Sequence, residues 1–250
     1  MARSSHRAHR APDRRITAVG VAFVAFVATL SACTPDVQPS ASLSLSCGNG
    51  PAFLPVDLRK PATDPGSDQV GLALAAFLSS REATFAQLPR EGWTRVAETE
   101  DSVLFLAPSV IPDAPFAMVA MTLANNGWTA EAWGGCQPAV RGGRSLPATW
   151  TLAAPAGPDA TSLDVWIQPT TCADGHPVID RLLPPIVAYG DAAITVTFQV
   201  ATVQPDGQVV ACPADLPIRT SVSLVEAVGG RTLLDGGVYP PKPVEVGAAP

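Results

Sequence analysis

The chain is poor in the residues and short motifs that carry common enzymatic chemistry. Its 250 residues include only three histidines and two lysines. The GxSxG motif of serine hydrolases and the HExxH motif of zinc proteases are both absent. Two Gly-Gly-Arg stretches, at 142–144 and 229–231, lack the Gly-Lys-Ser/Thr that completes a phosphate-binding loop. No motif therefore indicates a hydrolase, a metalloprotease or a nucleotide-dependent enzyme.

A basic segment followed by an uncharged run opens the chain. Residues 1–15 contain five arginines and one aspartate, and the 15 residues from Ile16 to Leu30 carry no charge. A helix rises about 1.5 Å per residue, so this run is too short to cross a bilayer core, and no basic stop-transfer cluster follows it. The pattern predicts a signal peptide over residues 1–32.

The uncharged run ends in Leu30, Ser31, Ala32 and Cys33, which resemble a bacterial lipobox at all four positions. The resemblance implies that the Cys33 thiol receives a diacylglycerol and that the chain is cut just before it. Two acyl chains, palmitate among the expected ones, hold a protein stably at a membrane, because each buried methylene contributes ~0.8 kcal/mol. Both the general secretory and the twin-arginine export routes stay open.

Processing would change the charge balance. Removing residues 1–32 leaves 11 Lys+Arg against 21 Asp+Glu, a formal balance of −10, which opposes binding to nucleic acid or to anionic lipid. With 26 prolines and few lysines, the chain resembles the uncharacterised secreted lipoproteins of high-GC actinobacteria. That resemblance supplies no activity and no functional residue beyond Cys33.

Four cysteines remain after Cys33, namely Cys47, Cys136, Cys172 and Cys212. An even number in an exported protein indicates two disulfides, with three pairings open. We favour Cys47 with Cys136 and Cys172 with Cys212, because each bridge then lies inside one of the two domains expected below.

The first half predicts a flexible tether and a small α+β domain. Residues 33–46 are rich in Pro and Ser and show no apolar period. In 67–81, apolar residues recur at the spacing of one helix face, with Ser67 or Asp68 as N-cap. We expect a domain over 47–140, in which this one helix covers a small antiparallel sheet.

Four strand-like segments follow that helix, at 93–98, 102–107, 116–125 and 128–133. Asn126-Gly127 predicts a type I′ hairpin turn between the last two. That register pairs Met121 with Ala132 under the helix and places Trp133 on the opposite face.

The second half predicts an immunoglobulin-like β-sandwich over 141–243. The Pro/Gly/Arg-rich stretch 138–146 marks the boundary. Apolar and polar residues alternate over 163–168 and 194–200, as in half-buried strands. Residues 244–250 are expected to form a disordered tail.

Candidate functional residues are few, and each has an ordinary structural explanation. His176 is the one histidine left after processing; any Ser-His-Asp mechanism would use it, but its turn-like context favours a solvated loop residue. It offers at most a two-ligand zinc pair with Cys172, so no metal or cofactor is expected. Glu98, Glu100 and Asp101 do not match a calcium loop and fit a charged turn.

Trp133 and Trp166 share their strand faces with polar residues. On simple alternation both side chains point away from the core of their domain. They are candidates for packing between the domains, for a sugar-stacking platform or for a partner surface. Packing between the domains is the favoured interpretation.

These features favour a lipid-anchored envelope lipoprotein on the extracytoplasmic face of the cell membrane. The favoured function is a non-enzymatic interaction or ligand-binding module, with an envelope protein or a glycan as partner. The alternative is an envelope hydrolase that acts on wall or lipid material and uses His176. Paired α/β lobes of the solute-binding kind are not indicated.

The lipobox makes a direct prediction. Replacing Cys33 with serine should abolish acylation and release the protein from the membrane fraction, because serine cannot form the thioether. Mass spectrometry and membrane fractionation measure both effects, with Thr34→Ser as a control that keeps the thiol. A wild-type protein without added lipid mass would contradict the anchor.

Overall fold

The computed structural model describes residues 43–62, 68–170, 177–202 and 216–247. These residues form mostly β-strands, with a few short helices, arranged in several sheets that are largely antiparallel. The strands are β1 Ser44–Ser46, β2 Thr94–Glu98, β3 Ser102–Pro108, β4 Phe116–Ala124, β5 Gly127–Cys136, β6 Ala139–Arg141, β7 Ser145–Leu152, β8 Ser162–Pro169, β9 Ile186–Tyr189, β10 Ala193–Ala201, β11 Ile218–Ser223, β12 Thr232–Asp235 and β13 Lys242–Pro243. The helices are α1 Gln69–Leu78, α2 Arg81–Phe85 and α3 Val178–Arg181, with a 3-10 turn at Pro55–Arg59.

Helix α1 and the four-stranded sheet β2-β3-β4-β5 confirm the predicted helix on a small antiparallel sheet. Asp68 is the N-cap and accepts a hydrogen bond from the Gly71 amide at 2.8 Å. Leu74 is fully buried on the helix, against a sheet face that includes Phe105 and Val119. The period of apolar residues along the helix therefore correctly indicated which face is buried.

The hairpin between β4 and β5 differs from the predicted one. Its two loop residues are Asn125 and Asn126, and Gly127 alone has a positive φ, of +108°. A type I turn followed by a glycine bulge has this pattern, whereas a type I′ turn needs two positive φ values. Met121 consequently pairs with Ala130 rather than with Ala132.

A β-bulge at Glu131 changes the face on which Trp133 lies. Ala132 pairs with Ala120 and Ala130 with Met121, so Glu131 is the extra residue on β5. Beyond the bulge Trp133 pairs with Val119 on the helix side, and its ring centroid is 5.0 Å from that of Phe77. The prediction that Trp133 faces away from the helix was wrong, because simple alternation holds only up to a bulge.

Strands β1 and β6, which pair with each other, cover part of the opposite face of this sheet. The predicted tether therefore ends too late: Leu45 in β1 is buried and pairs with Val140. Residues 139–141 belong to a strand, not to a boundary loop. The local sequence did not reveal this pairing, because its partners lie almost 100 residues apart.

The Cys47–Cys136 disulfide joins the end of β1 to the end of β5, with a Cα–Cα distance of 5.7 Å. It is the first of the two favoured pairings. Both residues are buried in the core between β1, β6 and the four-stranded sheet. Cys172 and Cys212 lie outside the described residues, so the second pairing stays a prediction.

The larger sheet has seven strands, in the order β11-β8-β7-β10-β12-β13, with β9 also paired to β10. In β8 the predicted alternation holds, and Leu163, Val165 and Ile167 are buried. In β10 it holds only in part, because Thr197 and Gln199 are buried as well as the apolar residues that alternate with them. The β10–β12 pair is parallel, and the other pairs of this sheet are antiparallel.

The C-terminal segment is ordered as far as it is described, which corrects the predicted disordered tail at 244–250. The Leu152 amide donates to the Glu245 carbonyl at 3.0 Å, and the Gly247 amide donates to the Leu152 carbonyl at 2.9 Å. Val244 packs against the core of the large sheet. Residues 248–250 lie outside the described part.

Residues on both sides of the expected 140/141 boundary share one core. Tyr239 packs with Phe116 and Val140 in the core between β1, β6 and the four-stranded sheet. The two-domain division itself stays a prediction. None of the helices in the described ranges is long and apolar enough to span a membrane.

The disulfide should contribute strongly to stability, because it closes a loop with a sequence separation of 89. In the chain-entropy model its removal costs about 4–5 kcal/mol of unfolding free energy. We expect the double variant Cys47→Ala/Cys136→Ala to lose about that amount in urea denaturation. A loss below about 1 kcal/mol would show that the crosslink does little to restrict the unfolded chain.

Candidate functional site

One edge of strand β10 is paired with two strands in succession. Its first half, 193–196, pairs with β12, and its second half, 198–201, pairs with β7. The opposite edge carries β9 and then Leu182. Because β12 runs parallel and β7 antiparallel to β10 along the same edge, a gap opens between the end of β12 and the middle of β7, near Ala148.

We call this gap the fork cavity. It has a volume of about 380 Å³, within the usual range of small-molecule sites of roughly 300–1,000 Å³. Its walls come from the turn after β1, from β6, from β7 and from the segment after β12. The lining residues are Ser46, Gly48, Asn49, Gln137, Ala139, Val140, Leu146, Pro147, Ala148, Thr149, Thr170, Asp235, Gly237 and Val238. The lining is mainly apolar, with a few polar side chains.

Among the described residues of this lining, Asp235 is the one with an ionisable side chain. It is the last residue of β12 and only 8% exposed. One carboxylate oxygen accepts a hydrogen bond from the Gly237 amide at 2.8 Å. Burial raises the pKa of the Asp235 carboxyl. The Gly237 amide, the Trp150 indole and the Lys242 ammonium act in the opposite direction, in that order, without cancelling the effect of burial.

The two glycines after Asp235 let the chain turn at the fork. A Cβ at Gly236 would collide with the Thr197 hydroxyl of β10. A Cβ at Gly237 would lie 3.1 Å from an Asp235 carboxylate oxygen and 3.3 Å from the Pro147 Cβ. The Gly-Gly pair therefore brings the backbone close to both β10 and β7, and it keeps Asp235 in the wall of the cavity.

A second depression, the sheet groove, adjoins the fork cavity and shares Gly48, Asn49 and Gln137 with it. Its volume is about 710 Å³. Its floor is the face of the four-stranded sheet opposite α1, including Met118, Ala120 and Ala132. The Cys47–Cys136 disulfide lies in its wall. Asn49, which is exposed, therefore lies at the rim of both depressions.

The two tryptophans singled out from the sequence lie outside both depressions. Trp133 is 40% exposed beside Phe77 on the helix side of its sheet. Trp166 is half-buried on the outer face of β8, and the Arg219 guanidinium lies 5.8 Å from its ring centroid. Arg219 also forms an ion pair with Asp164. The Trp166 ring is thus already in contact with a cation of its own chain.

Several other candidates cannot be placed. Cys33, Cys172, His176 and Cys212 fall outside the described residues, so the lipidation site and the histidine required by the hydrolase alternative stay predictions. Of the acids, Glu98 forms an ion pair with Arg95 at 3.2 Å, and Asp101 accepts a hydrogen bond from the Thr99 hydroxyl. Within the described ranges no cluster of three or more metal-ligating side chains occurs.

Sequence reasoning missed Asp235 because its strand, Thr232–Asp235, has only four residues and shows no clear alternation. A local signal was present: Thr232 to Asp235 is a short run with two leucines, followed at once by Gly-Gly. Such a run fits a short strand that ends in a tight turn. Its pairing partner, however, lies about 40 residues earlier in β10.

Comparison of the chain with protein-family models, with curated proteins and with solved structures finds no match. The chemistry of the fork cavity and the sheet groove is therefore interpreted from their own residues.

The raised pKa of Asp235 predicts an effect on stability with a definite sign. Between its unfolded pKa, near 3.9, and its higher folded pKa, the folded state binds more protons than the unfolded state. The free energy of unfolding therefore falls as pH rises through this window. We expect Asp235→Asn, whose amide oxygen can still accept from Gly237, to be more stable than wild type at pH 7, with the difference vanishing towards pH 4.

Asp164→Asn is the control, because its pKa is shifted the other way by the hydrogen bonds from Arg219. This variant should lose a little stability at pH 7 and none well below pH 4. Urea unfolding at several pH values measures both differences. A stability difference for Asp235→Asn that does not change with pH would contradict the burial argument.

Proposed function

We propose that the protein is a lipid-anchored lipoprotein of the extracytoplasmic membrane face and that it works as a non-enzymatic ligand-binding module. The anchor rests on the resemblance of residues 30–33 to a lipobox. The binding role rests on the fork cavity. This cavity lies where segments from the two halves of the chain meet, which is a common position for small-molecule sites.

The composition of the fork cavity is the observation that carries the binding role. Apolar side chains from β6 and β7, such as Val140 and Leu146, line the cavity together with one buried carboxyl group, that of Asp235. A pocket of this kind gains affinity from apolar contact and orientation from a few polar groups. The short sequence separation between Cys33 and the lining residue Ser46 supports a role close to the membrane.

For the second half of the chain we also propose an immunoglobulin-like β-sandwich. The antiparallel strands β7, β8 and β11 and the core between them support this proposal. The parallel pair β10–β12 departs from a purely antiparallel arrangement. The proposed similarity to immunoglobulin domains would therefore apply to the sandwich architecture and not to the order and direction of every strand.

Blocking the rim of the cavity tests the binding role. Asn49 is exposed at the rim, so Asn49→Trp should close the entrance without changing the core. We expect small molecules that co-purify with the full-length protein from its native membranes to be lost in this variant. Mass spectrometry of the extracted material measures the difference.

Asn126→Trp is the matched control, because it makes the same substitution at an exposed turn residue of the β4–β5 hairpin. Its extract should match that of the wild type. If the extracts of the wild type and of Asn49→Trp contain the same small molecules, this result would count against a ligand in the fork cavity.

A further inference from the structure

Three hydroxyl groups in the wall of the fork cavity donate their hydrogens to backbone carbonyls of the protein. Ser46 donates to the Gly48 carbonyl at 3.1 Å, Thr149 to the Gln168 carbonyl at 3.3 Å, and Thr170 to the Pro147 carbonyl at 2.7 Å. A hydroxyl has one hydrogen to donate and two lone pairs that can accept. These three groups can therefore offer a ligand only acceptors.

The deeper polar groups show the same bias. The Gln137 side-chain amide donates to the Tyr239 carbonyl at 2.7 Å, while its Oε1 is buried and has no hydrogen-bond partner. The Asp235 carboxylate is an acceptor when ionised. No Lys, Arg or His occurs in the part of the lining that the structure describes. Among the described lining residues, donors remain on the exposed Asn49 side chain and on the Gln137 amide, whose second N–H is not used by the bond to Tyr239.

An acceptor-rich and mainly apolar cavity selects its ligand by complementarity. An unpaired polar group costs about 1–3 kcal/mol when it is buried, and a buried charge costs more unless it is paired. A ligand with hydrogen-bond acceptors would place them opposite the acceptor oxygens of the cavity, and neither group would have a donor. A ligand with several donors and a positive charge would satisfy them, and an ammonium group has three donors and no acceptor.

We propose that the fork cavity binds an amphiphilic primary amine, whose ammonium group pairs with Asp235 and whose apolar part lies against Val140, Leu146 and Val238. This inference rests on the proposed function and adds the chemical class of the ligand. Lys242 does not supply the missing cation: it is exposed on β13, and no ion pair joins it to Asp235 among the described residues.

Three probes of one chain length test the proposal: n-hexylammonium, 1-hexanol and hexanoate. Their binding to the full-length protein in lipid nanodiscs is measured by equilibrium dialysis at pH 7.5, with empty nanodiscs as the blank. We expect hexylammonium to bind at least about tenfold more tightly than hexanol, and hexanoate to bind most weakly. Asn49→Trp should remove the binding of all three probes above the blank.

Asp235→Asn should reduce the affinity for hexylammonium to about that for hexanol, while the affinity for hexanol stays unchanged. Asp159→Asn is the matched control, because it removes the same formal charge from an exposed turn outside the cavity. The unchanged hexanol affinity also shows that the Asp235→Asn cavity remains folded. An equal loss for both probes would assign Asp235 a structural role and overturn the proposal.

A pH titration of the wild-type protein gives an independent readout. The affinity for hexylammonium should fall as the Asp235 carboxyl becomes protonated at lower pH, whereas that for hexanol should not change. The charged groups to consider are Asp235 itself and Lys242 on the neighbouring strand. The probe itself stays protonated throughout pH 5–8, because a primary alkyl amine, like the lysine side chain, ionises at about pH 10.

The outcomes separate this inference from the proposed function. Hexanol and hexylammonium that bind equally well, and are both blocked by Asn49→Trp, would leave a ligand-binding cavity but overturn the preference for amines. No binding of any probe above the blank would overturn the amine proposal. The co-purification comparison of Asn49→Trp with Asn126→Trp would then decide the proposed function separately.

Discussion

The arrangement of the large sheet depends on how strand β10 shares its backbone hydrogen bonds. Buried N–H and C=O groups need partners, and β10 is buried along most of its length. No single strand pairs with the whole of this edge of β10: β12 pairs with its first half and β7 with its second half. The change of partner forces β12 to leave the sheet after Asp235. The Gly236 amide still donates to the Val196 carbonyl at 3.0 Å, so the departure is abrupt and leaves a cavity beside it.

The chain that leaves the sheet at the fork then connects the two halves of the protein. The Val140 amide donates to the Gly237 carbonyl at 2.9 Å, and the Tyr239 amide donates to the Pro138 carbonyl at 2.8 Å. Strand β6, which receives this segment, also pairs with β1. Three segments that are far apart in sequence thus meet around the fork cavity. Its shape depends on long-range pairing, which also explains why a carboxyl group from a short C-terminal strand is so deeply buried.

Patterns within short stretches of the sequence correctly predicted the elements that are determined by neighbouring residues. The helix with its Asp68 cap and the alternating strand β8 follow from periodicity and from one capping interaction. The errors arise where geometry or pairing is not local. One extra residue at Glu131 moved Trp133 to the other face, and short strands such as β1, β6 and β12 contain too few residues for alternation to be recognised. These short strands form because they pair with a strand that is distant in sequence, and one sequence alone does not show which strand that is.

The candidate site was missed for the same reason, because β12 is a short strand whose partner lies far away in the sequence. The proposed binding role rests on the carboxyl group at the end of this strand. An Asx-type turn needs one acceptor for the Gly237 amide, and an asparagine or serine could provide it without burying an ionisable group. A carboxyl group at this position adds a second oxygen and a charge, which burial penalises. The Gly237 amide and the Trp150 indole offset only part of that cost, and the nearby Thr149 and Thr170 hydroxyls donate to backbone carbonyls instead. The fork therefore leaves a concentration of acceptors for which a donor from outside the chain is the natural complement.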